Sequence, residues 1–484
     1  MIRALRPHQQ FAFDALRSSL SGGKRRPMLA MPTGGGKTLL AAAIVEGVLR
    51  RQKRVIFVVP ALSLIDQTVT AFWNEGIRGV GVIQGDHIET DLSRPVQVAS
   101  VQTLQRRGYP DADVVIIDEA HRWFKSYAMW MADPAWQNKP FIGLSATPWT
   151  KGPGKHFDDL IIAATPQRLI DEGYLSPFRV FAPSHPDLTG VGTVGGDYHE
   201  GQLAEAMNKA PLVADIVETW LKRGEDRPTL CFAVDRAHAK ALGSKFQAAG
   251  VPTAYIDAYT KPIDREVIRR RFHAGDVRVV CNVGTLTTGV DWDVRCLILA
   301  RPTKSEMLFV QIVGRGLRTA AGKRDCLILD HSDTHLRLGF ATDIHHDALD
   351  NGDGVRRAGR KSSEALPKEC PKCTYLRPPK MSLCPACGFK PERVSKIDCD
   401  DGDLIELRGR KTKAARFEKE ALFGQLRVYA RRKGYGDGWA SNQFKAKFGV
   451  WPNAVRHCPD REPTPEVLSW IKSRQIAFAK ARSA

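Results

Sequence analysis

Four short stretches carry residue types that could work on a phosphate chain. The first is MPTGGGKT, residues 31–38. Apolar PMLAM (27–31) leads into it and a helical pattern starts at Lys37, so a glycine-rich turn joins a strand to a helix N-terminus. Backbone N–H groups at such a turn point at an anion. Gly34, Gly35 and Gly36 let the backbone approach a phosphate closely, Lys37 neutralises the β- and γ-phosphates, and the Thr38 hydroxyl binds Mg²⁺. The strict pattern has glycine where this chain has Met31. The second stretch is DEAH, 118–121, closing the apolar run DVVII. Carboxylates at the C-terminal end of a strand sit where open parallel sheets bind ligands. Asp118 is suited to hold Mg²⁺ and Glu119 to orient and deprotonate an attacking water. His121 is too far along for that work and is assigned to coupling.

SATP, 145–148, again follows an apolar run. Ser145 and Thr147 can hydrogen-bond the acidic motif and report its state. The fourth stretch, QIVGRGLR (311–318), starts at Gln311 and lies on a predicted helix. Arg315 and Arg318 are three apart and would share a helix face. Their guanidinium groups could then stabilise charge on a phosphoryl group in transfer, as an arginine finger does. Gly314 and Gly316 each weaken a helix, which argues against an ordinary surface helix.

Ten cysteines are present. Cys231, Cys281, Cys296 and Cys326 lie in apolar runs and read as inert core thiols. Cys399 and Cys458 stand alone. CPKC (370–373) and CPAC (384–387) are separated by ten residues. Two CxxC knuckles complete a closed tetrahedral site, so Cys370, Cys373, Cys384 and Cys387 are expected to hold a structural Zn²⁺.

Such groups work only if larger elements hold them. RVIFVVP, VQVASV, DVVIID and FIGLSATP read as strands of near-continuous apolar character, alternating with helical segments such as TLLAAAIVEGVLR (38–50). That pattern suits a parallel sheet covered on both faces. Residues 230–330 repeat the design with TLCFAV, TAYIDA, VRVVCNV, CLILAR and CLILDH. The expected fold class is α/β, with two tandem parallel-sheet domains followed by a small zinc module and a basic, mostly helical C-terminal domain. Residues 408–433 hold ten Lys or Arg against Glu418 and Glu420. Phe417, Leu422, Phe423, Leu426 and Tyr429 supply one apolar face to that helix, and the aromatics of 434–452 read as the core of a small domain. The net charge of +19 favours a polyanionic partner. No apolar run is long enough to span a bilayer and no signal peptide is legible, so a cytoplasmic, nucleoid-associated location is expected.

With these motifs in order, the chain resembles a superfamily 2 helicase, a motor of two RecA-like domains, over about residues 1–345. RPHQ (6–9) resembles its adenine-contacting motif, which makes Gln9 the reader. VVPALSLIDQT (58–68) and SVQTL (100–104) resemble motif Ia and the DNA-contacting motif after it. CNVGTLTTGVDWD (281–293) resembles motif V, with Gly289 and Asp291 on the nucleotide side, although Val290, Trp292 and Asp293 depart from the usual pattern. The resemblance implies backbone contacts to nucleic acid near Thr103 and Thr285. A superfamily 2 motor followed by four cysteines resembles the RadD-type bacterial DNA repair helicases, whose layout phage-encoded relatives share.

The expected boundaries are 1–165 and 166–345 for the RecA-like domains, 346–368 for a polar linker, 369–392 for the zinc module and 393–484 for the accessory domain. The expected activity is ATP-dependent translocation on, or remodelling of, DNA in repair, recombination or replication. ATP, Mg²⁺ and structural Zn²⁺ are its cofactors, and a single-strand-binding protein or recombinase is a candidate partner. The motor domains are expected to stay folded without the chain after about residue 366. Three alternatives stay open: an RNA-dependent ATPase of this fold, an ATP-gated recruitment factor, and the motor subunit of a restriction system.

Overall fold

A strand with no polar residue cannot offer a face to water, so such strands must lie within a sheet that is covered on both sides. A computed structural model of the chain shows two sheets of this kind. The structure describes residues 3–482 except 86, 151, 288–290, 353–365, 380, 391–412, 437 and 449. It divides into two compact units, Met1–Glu392 and Arg393–Ala484.

The first unit holds two lobes. Lobe 1 contains β1 (Pro27–Ala30), β2 (Val55–Val59), β3 (Val80–Ile83), β4 (Val96–Ser100), β5 (Val114–Ile117), β6 (Phe141–Ser145) and β7 (Asp159–Ile162). All are parallel, in the order β3-β4-β2-β5-β6-β1-β7. Every residue of β1 to β6 is buried. A parallel sheet puts all its C-terminal ends on one edge. The neighbours β5, β6 and β1 therefore deliver DEAH, SATP and the glycine-rich turn side by side. β3 and β7 were not anticipated: β3 is short and contains Gly81, and β7 is an edge strand that is only partly buried.

Lobe 2 contains β8 (Phe178–Phe181), the hairpin β9 (Thr193–Val194) and β10 (Asp197–Tyr198), then β11 (Thr229–Phe232), β12 (Thr253–Ile256), β13 (Val279–Asn282), β14 (Cys296–Leu299) and β15 (Cys326–Asp330). Its six-stranded sheet is parallel, in the order β12-β13-β11-β14-β15-β8. Cys231, Cys281, Cys296 and Cys326 are wholly buried in it, as expected. The helix Glu306–Gly316 lies between β14 and β15 in the chain. A Cβ on Gly316 would overlap Cys326 Sγ and stand 2.8 Å from Leu297 Cδ1. Glycine there lets the end of the helix rest directly on both strands.

The stretch expected to be a linker starts as packed structure. Leu349 packs against the core of lobe 1. The Asp350 carbonyl accepts the Gly154 N–H at 2.8 Å, and its carboxylate accepts the Gly152 N–H at 2.9 Å. His346 pairs with Glu306 at 3.0 Å in lobe 2 and tilts against Trp149 in lobe 1. Residues 353–365 lie outside the described residues.

The cysteine segment, expected as a zinc module over 369–392, packs against lobe 2. Its hairpin, β16 (Lys368–Glu369) and β17 (Leu376–Arg377), sits on the outer strand of the lobe 2 sheet. Phe181 and Tyr375 are bridged, their rings meet edge to face at 5.4 Å, and the Ala182 N–H donates to the Thr374 carbonyl at 3.0 Å. Leu376 is 1% exposed within the core of lobe 2. A cut near residue 366 would remove a core side chain, so the expectation that lobe 2 survives it is revised.

The second unit is helical: Lys413–Arg432, Gly438–Phe448, a 3₁₀ turn at Pro452–Val455, and Pro465–Arg482. Leu422, Phe423, Leu426, Ala440, Phe444 and Ile471 form its core, which Tyr429, Trp439 and Phe448 line. The expected apolar face is therefore present, with Phe417, Arg408, Arg410, Lys411 and Cys399 outside what is described here. Among the described residues no helix is long and apolar enough to cross a membrane.

Leu376→Ala should destabilise lobe 2 by about 2–5 kcal/mol, the usual cost of emptying a packed leucine site. Urea unfolding of the full chain checks this. Truncation after residue 366 is expected to lower the stability of lobe 2, and truncation after 392 to preserve it. Equal melting of both truncated chains would show that the hairpin adds nothing to lobe 2.

Candidate active site between the two lobes

β1 feeds the glycine-rich turn, which two left-handed residues shape: Gly34 at φ +84° and Gly36 at φ +89°. A side chain is strained at such angles, and a Cβ on Gly36 would also run into the Gln9 amide. Gln9 donates to the carbonyls of Gly35 at 3.2 Å and Gly36 at 3.0 Å, and its own oxygen accepts the Arg6 N–H at 2.9 Å. His8 Nε2 lies 2.9 Å from the Gly35 carbonyl, and its ring tilts against Tyr174 at 5.0 Å. RPHQ thus braces the turn from behind.

Lys37 opens the following helix and points at the DEAH carboxylates. Its Nζ is 2.9 Å from Asp118 Oδ1 and 2.6 Å from Glu119 Oε1. Burial alone would lower the lysine pKa, but the two carboxylates hold it above its ordinary value. Burial raises Asp118. Glu119 is pushed the same way by burial, yet Lys37 and neighbouring positive charge hold it below the usual carboxylate value. Lys37 is a lysinium shared by the two carboxylates, and Glu119 is the more firmly ionised of them. Glu119 sits at φ +49°, rare for a side-chain-bearing residue. Strain of this sort costs about 1–3 kcal/mol and is typical of working sites.

A relay joins this pair to SATP and to lobe 2. His121 Nδ1 is 3.0 Å from Ser145 Oγ and 3.3 Å from a Glu119 oxygen. Ser145 Oγ accepts the Thr147 N–H at 3.0 Å. From lobe 2, Gln311 Nε2 reaches His121 Nε2 at 3.2 Å and Thr147 Oγ1 at 3.1 Å. The Gln311 amide N–H donates, so His121 Nε2 accepts and the ring proton is assigned to Nδ1. Burial lowers the His121 pKa to about 4, consistent with that neutral ring.

Arg315 is 6% exposed and donates from Nε to the Thr287 carbonyl at 3.0 Å. Burial lowers its pKa to about 10, so it stays charged at neutral pH. Arg318 does not share its helix face. The helix ends at Gly316, and Arg318 lies beyond it in a β-bridge with Leu175. The Gly-containing end of the helix turns the chain there, so the spacing of three has no helical meaning. Arg318 still borders the site: it pairs with Asp291, and its Cγ is 3.2 Å from where a Gly34 Cβ would be. A Cβ on Gly314 would lie 2.7 Å from the Thr33 side chain, so this glycine sets how closely the helix meets the turn.

The structure thus gathers Gln9, Gly34, Gly35, Gly36, Lys37, Asp118, Glu119, His121, Ser145, Thr147, Gln311, Arg315 and Arg318 in one cleft. Thr38 is exposed, Asp291 is held by Arg318, and Gly289 lies outside the described residues. Thr103 belongs to a different local structure: it lies in the first turn of the helix Val101–Arg107, whose N-cap Ser100 accepts the Thr103 N–H through Oγ at 3.2 Å. Thr285 Oγ1 is buried with no hydrogen-bond partner among the described residues. Sequence reading missed His8, Thr33, Tyr174 and Leu175. His8 stood inside a quoted motif. Tyr174 and Leu175 carry no local signal, because they come from the segment between the lobes.

The four paired cysteines bring their Sγ atoms within 4.8 Å of one another. Cys370 and Cys387 are 3.7 Å apart, and Cys373 and Cys384 3.6 Å. A tetrahedral ion with bonds of about 2.3 Å sets sulfur atoms about 3.8 Å apart. The knuckles repeat one design: the Thr374 N–H donates to the Cys370 carbonyl and the Gly388 N–H to that of Cys384, each at 2.8 Å. Both turning residues, Thr374 and Gly388, have positive φ. The donor set fits zinc.

Residues 2–150 match the family "Type III restriction enzyme, res subunit", and residues 209–320 match "Helicase conserved C-terminal domain". The chain is 31% identical to the "Putative ATP-dependent helicase IRC3" of Saccharomyces cerevisiae, over 67% of this chain and 51% of that protein. It therefore spans about half the length of that relative. It is 26% identical to a "51.5 kDa protein" of a Lactococcus phage, over 75% of this chain and 77% of the other. The ATP-dependent type ISP restriction-modification enzyme LlaBIII, solved bound to DNA, shares the fold, with a TM-score of 0.51 and 19% identity over 68% of this chain and 28% of its own.

A histidine buried neutral destabilises the fold at low pH. The unfolded ring binds a proton below about 6.5, whereas the folded ring waits until about 4. Stability from this source is complete above the unfolded value and falls as pH drops from 6.5 towards 4. His121→Asn should flatten that fall by up to about 3 kcal/mol. Urea titrations of both proteins at pH 7 and pH 4.5 test it, and parallel pH dependences would contradict a neutral buried His121.

Proposed function

We infer, because the chain belongs to superfamily 2 of the helicases, that its two lobes hydrolyse ATP and couple the turnover to movement on, or remodelling of, DNA. The observation that carries this reading is Lys37 shared by Asp118 and Glu119, with the lobe 2 arginines and Gln311 closing on the same cleft.

Each residue then has a defined task. Gly34, Gly35, Gly36 and Lys37 would hold the phosphates, Thr38 and Asp118 the Mg²⁺, and the bound nucleotide supplies the phosphoanhydride that is cleaved. Lys37 exchanges carboxylate partners for phosphate oxygens. That exchange frees Glu119 to take the proton of water, and the left-handed backbone fixes the direction of its carboxylate. Arg315 and Arg318 face the phosphates from lobe 2 and offset developing charge only while the lobes are closed. Gln311 senses closure through His121 and Thr147. Gln9 would read adenine by releasing the Gly35 and Gly36 carbonyls, and Gly289 and Asp291 complete the lobe 2 side. Thr103 and Thr285 are proposed contacts to the nucleic-acid backbone. Cys370, Cys373, Cys384 and Cys387 would hold one structural Zn²⁺, which leaves no open coordination position. The cysteine arrangement after two motor lobes supports the finer reading of a RadD-type repair helicase.

The similarity to restriction-enzyme subunits favours a second reading, a translocase that serves a nuclease on another chain. Release of a triplex-forming oligonucleotide without strand separation would support it over unwinding.

Lys37→Ala should abolish ATP hydrolysis, and Glu119→Gln should spare ATP binding while stopping turnover. Arg315→Ala and Arg318→Ala should each slow turnover about 10³-fold with nucleotide binding nearly intact. ATPase assays with single-stranded DNA, duplex DNA and RNA measure all of this. Turnover by Glu119→Gln at the wild-type rate would remove its role as base, and greater stimulation by RNA would reassign the substrate. Metal analysis should find one zinc per chain, and its removal should loosen lobe 2, because Tyr375 and Leu376 hang from the same hairpin.

A further inference from the structure

The accessory unit is basic, but its positive charges are not alike. Arg427 and Arg431 each reach Asp460 at 2.6 Å, and Arg432 reaches Glu462 at 2.6 Å. Arg427 also donates to the carbonyls of Arg456 and Cys458. These arginines tie the long helix to the following loop, so their charge is largely engaged within the unit.

Lys445 and Lys447, in the last turn of the helix Gly438–Phe448, behave otherwise. Neither has an ion pair among the described residues. Lys445 Nζ stands 4.4 Å from the centre of the Trp451 ring, and Lys447 Nζ 5.0 Å from that of Trp470. Trp451 is 49% exposed and its neighbour Val450 51%. Large apolar residues exposed side by side are informative in a way that a single one is not. Phe423, Tyr429, Trp439, Phe444, Phe448 and Trp470 pack with the core of the unit, and Tyr435 is exposed as Trp451 is.

We propose that the Lys445–Trp451 edge of the accessory unit is a stacking platform for single-stranded nucleic acid. Lys445 lies over one face of the Trp451 indole, so a base would stack on the other face while the ammonium groups of Lys445 and, over Trp470, Lys447 meet the adjoining phosphates. A duplex keeps its bases stacked on one another and would use the lysines but not the ring. The proposal rests on the lobes being a nucleic-acid-dependent motor, for which such a platform would hold the strand outside the cleft.

The test uses the full chain without nucleotide and a fluorescein-labelled oligothymidylate, with binding followed by anisotropy across a salt series. Trp451→Ala should weaken binding about tenfold at unchanged salt slope, and Trp451→Phe should stay within about threefold of the parent, because any aromatic ring stacks. The pair Lys445→Gln and Lys447→Gln should reduce the salt slope by about 1.4, roughly 0.7 for each lost contact to a single strand. Trp451→Ala binding within twofold of the parent would overturn the platform, as would Trp451→Phe binding as weakly as Trp451→Ala. If Trp451→Ala does not fold, the phenylalanine and lysine variants decide. DNA-stimulated ATPase of the parent is measured in parallel. Its absence counts against the motor, whereas full stimulation with unaltered binding by the variants counts against the platform alone.

Discussion

The candidate active site depends on one half-buried cation, the Lys37 ammonium between Asp118 and Glu119. Lys37 sits at the end of a parallel sheet, where water is scarce and an unpaired charge costs several kcal/mol. Asp118 and Glu119 remove that cost, and they can do so only because β5 and β1 lie on either side of β6. The pair holds the site together without ligand and marks what a ligand must displace. Under the proposed function, a polyphosphate would take over the lysine's contacts and so free a carboxylate. Stability and reactivity thus draw on the same three side chains.

The second lobe reaches that trio through His121 and Thr147 rather than touching it directly. Gln311 spans to His121 and Thr147 with ordinary hydrogen bonds at 3.2 and 3.1 Å. Such contacts form over a narrow range of lobe positions and break cleanly. Gly314 and Gly316 make the approach possible, one towards Thr33 and the other towards β14 and β15. Two glycines in an eleven-residue helix weaken it locally, and tertiary packing outweighs that loss.

Coupling between the lobes has a second anchor away from the cleft. The chain leaves the core of lobe 2 at Ile344, lays Leu349 and Asp350 on lobe 1, and returns to lobe 2 as the cysteine hairpin. The hairpin is fixed from two directions: its thiols converge on one point, and Tyr375 and Leu376 enter the lobe 2 surface. A metal there would steady the outer strand of the sheet as well as the hairpin.

Much of this was legible in the residues. Uninterrupted apolar runs dictate buried parallel strands, and the glycine-rich turn, the acidic tetrad and the paired cysteines each carry chemistry in a local pattern. Their identity and order along the chain are sequence properties, because each depends on residues within one turn or strand end. Other features depended on contacts between distant segments. The position of Arg318 beyond its helix, the bracing of the turn by His8, the packing of Leu349 on lobe 1, and the pairing of the accessory arginines with Asp460 and Glu462 all join residues far apart in the chain or depend on where a helix stops. Periodicity and spacing describe neighbours along the chain. Which surfaces meet is decided by packing, where close approach, burial and charge pairing select one arrangement among many that the same local patterns allow.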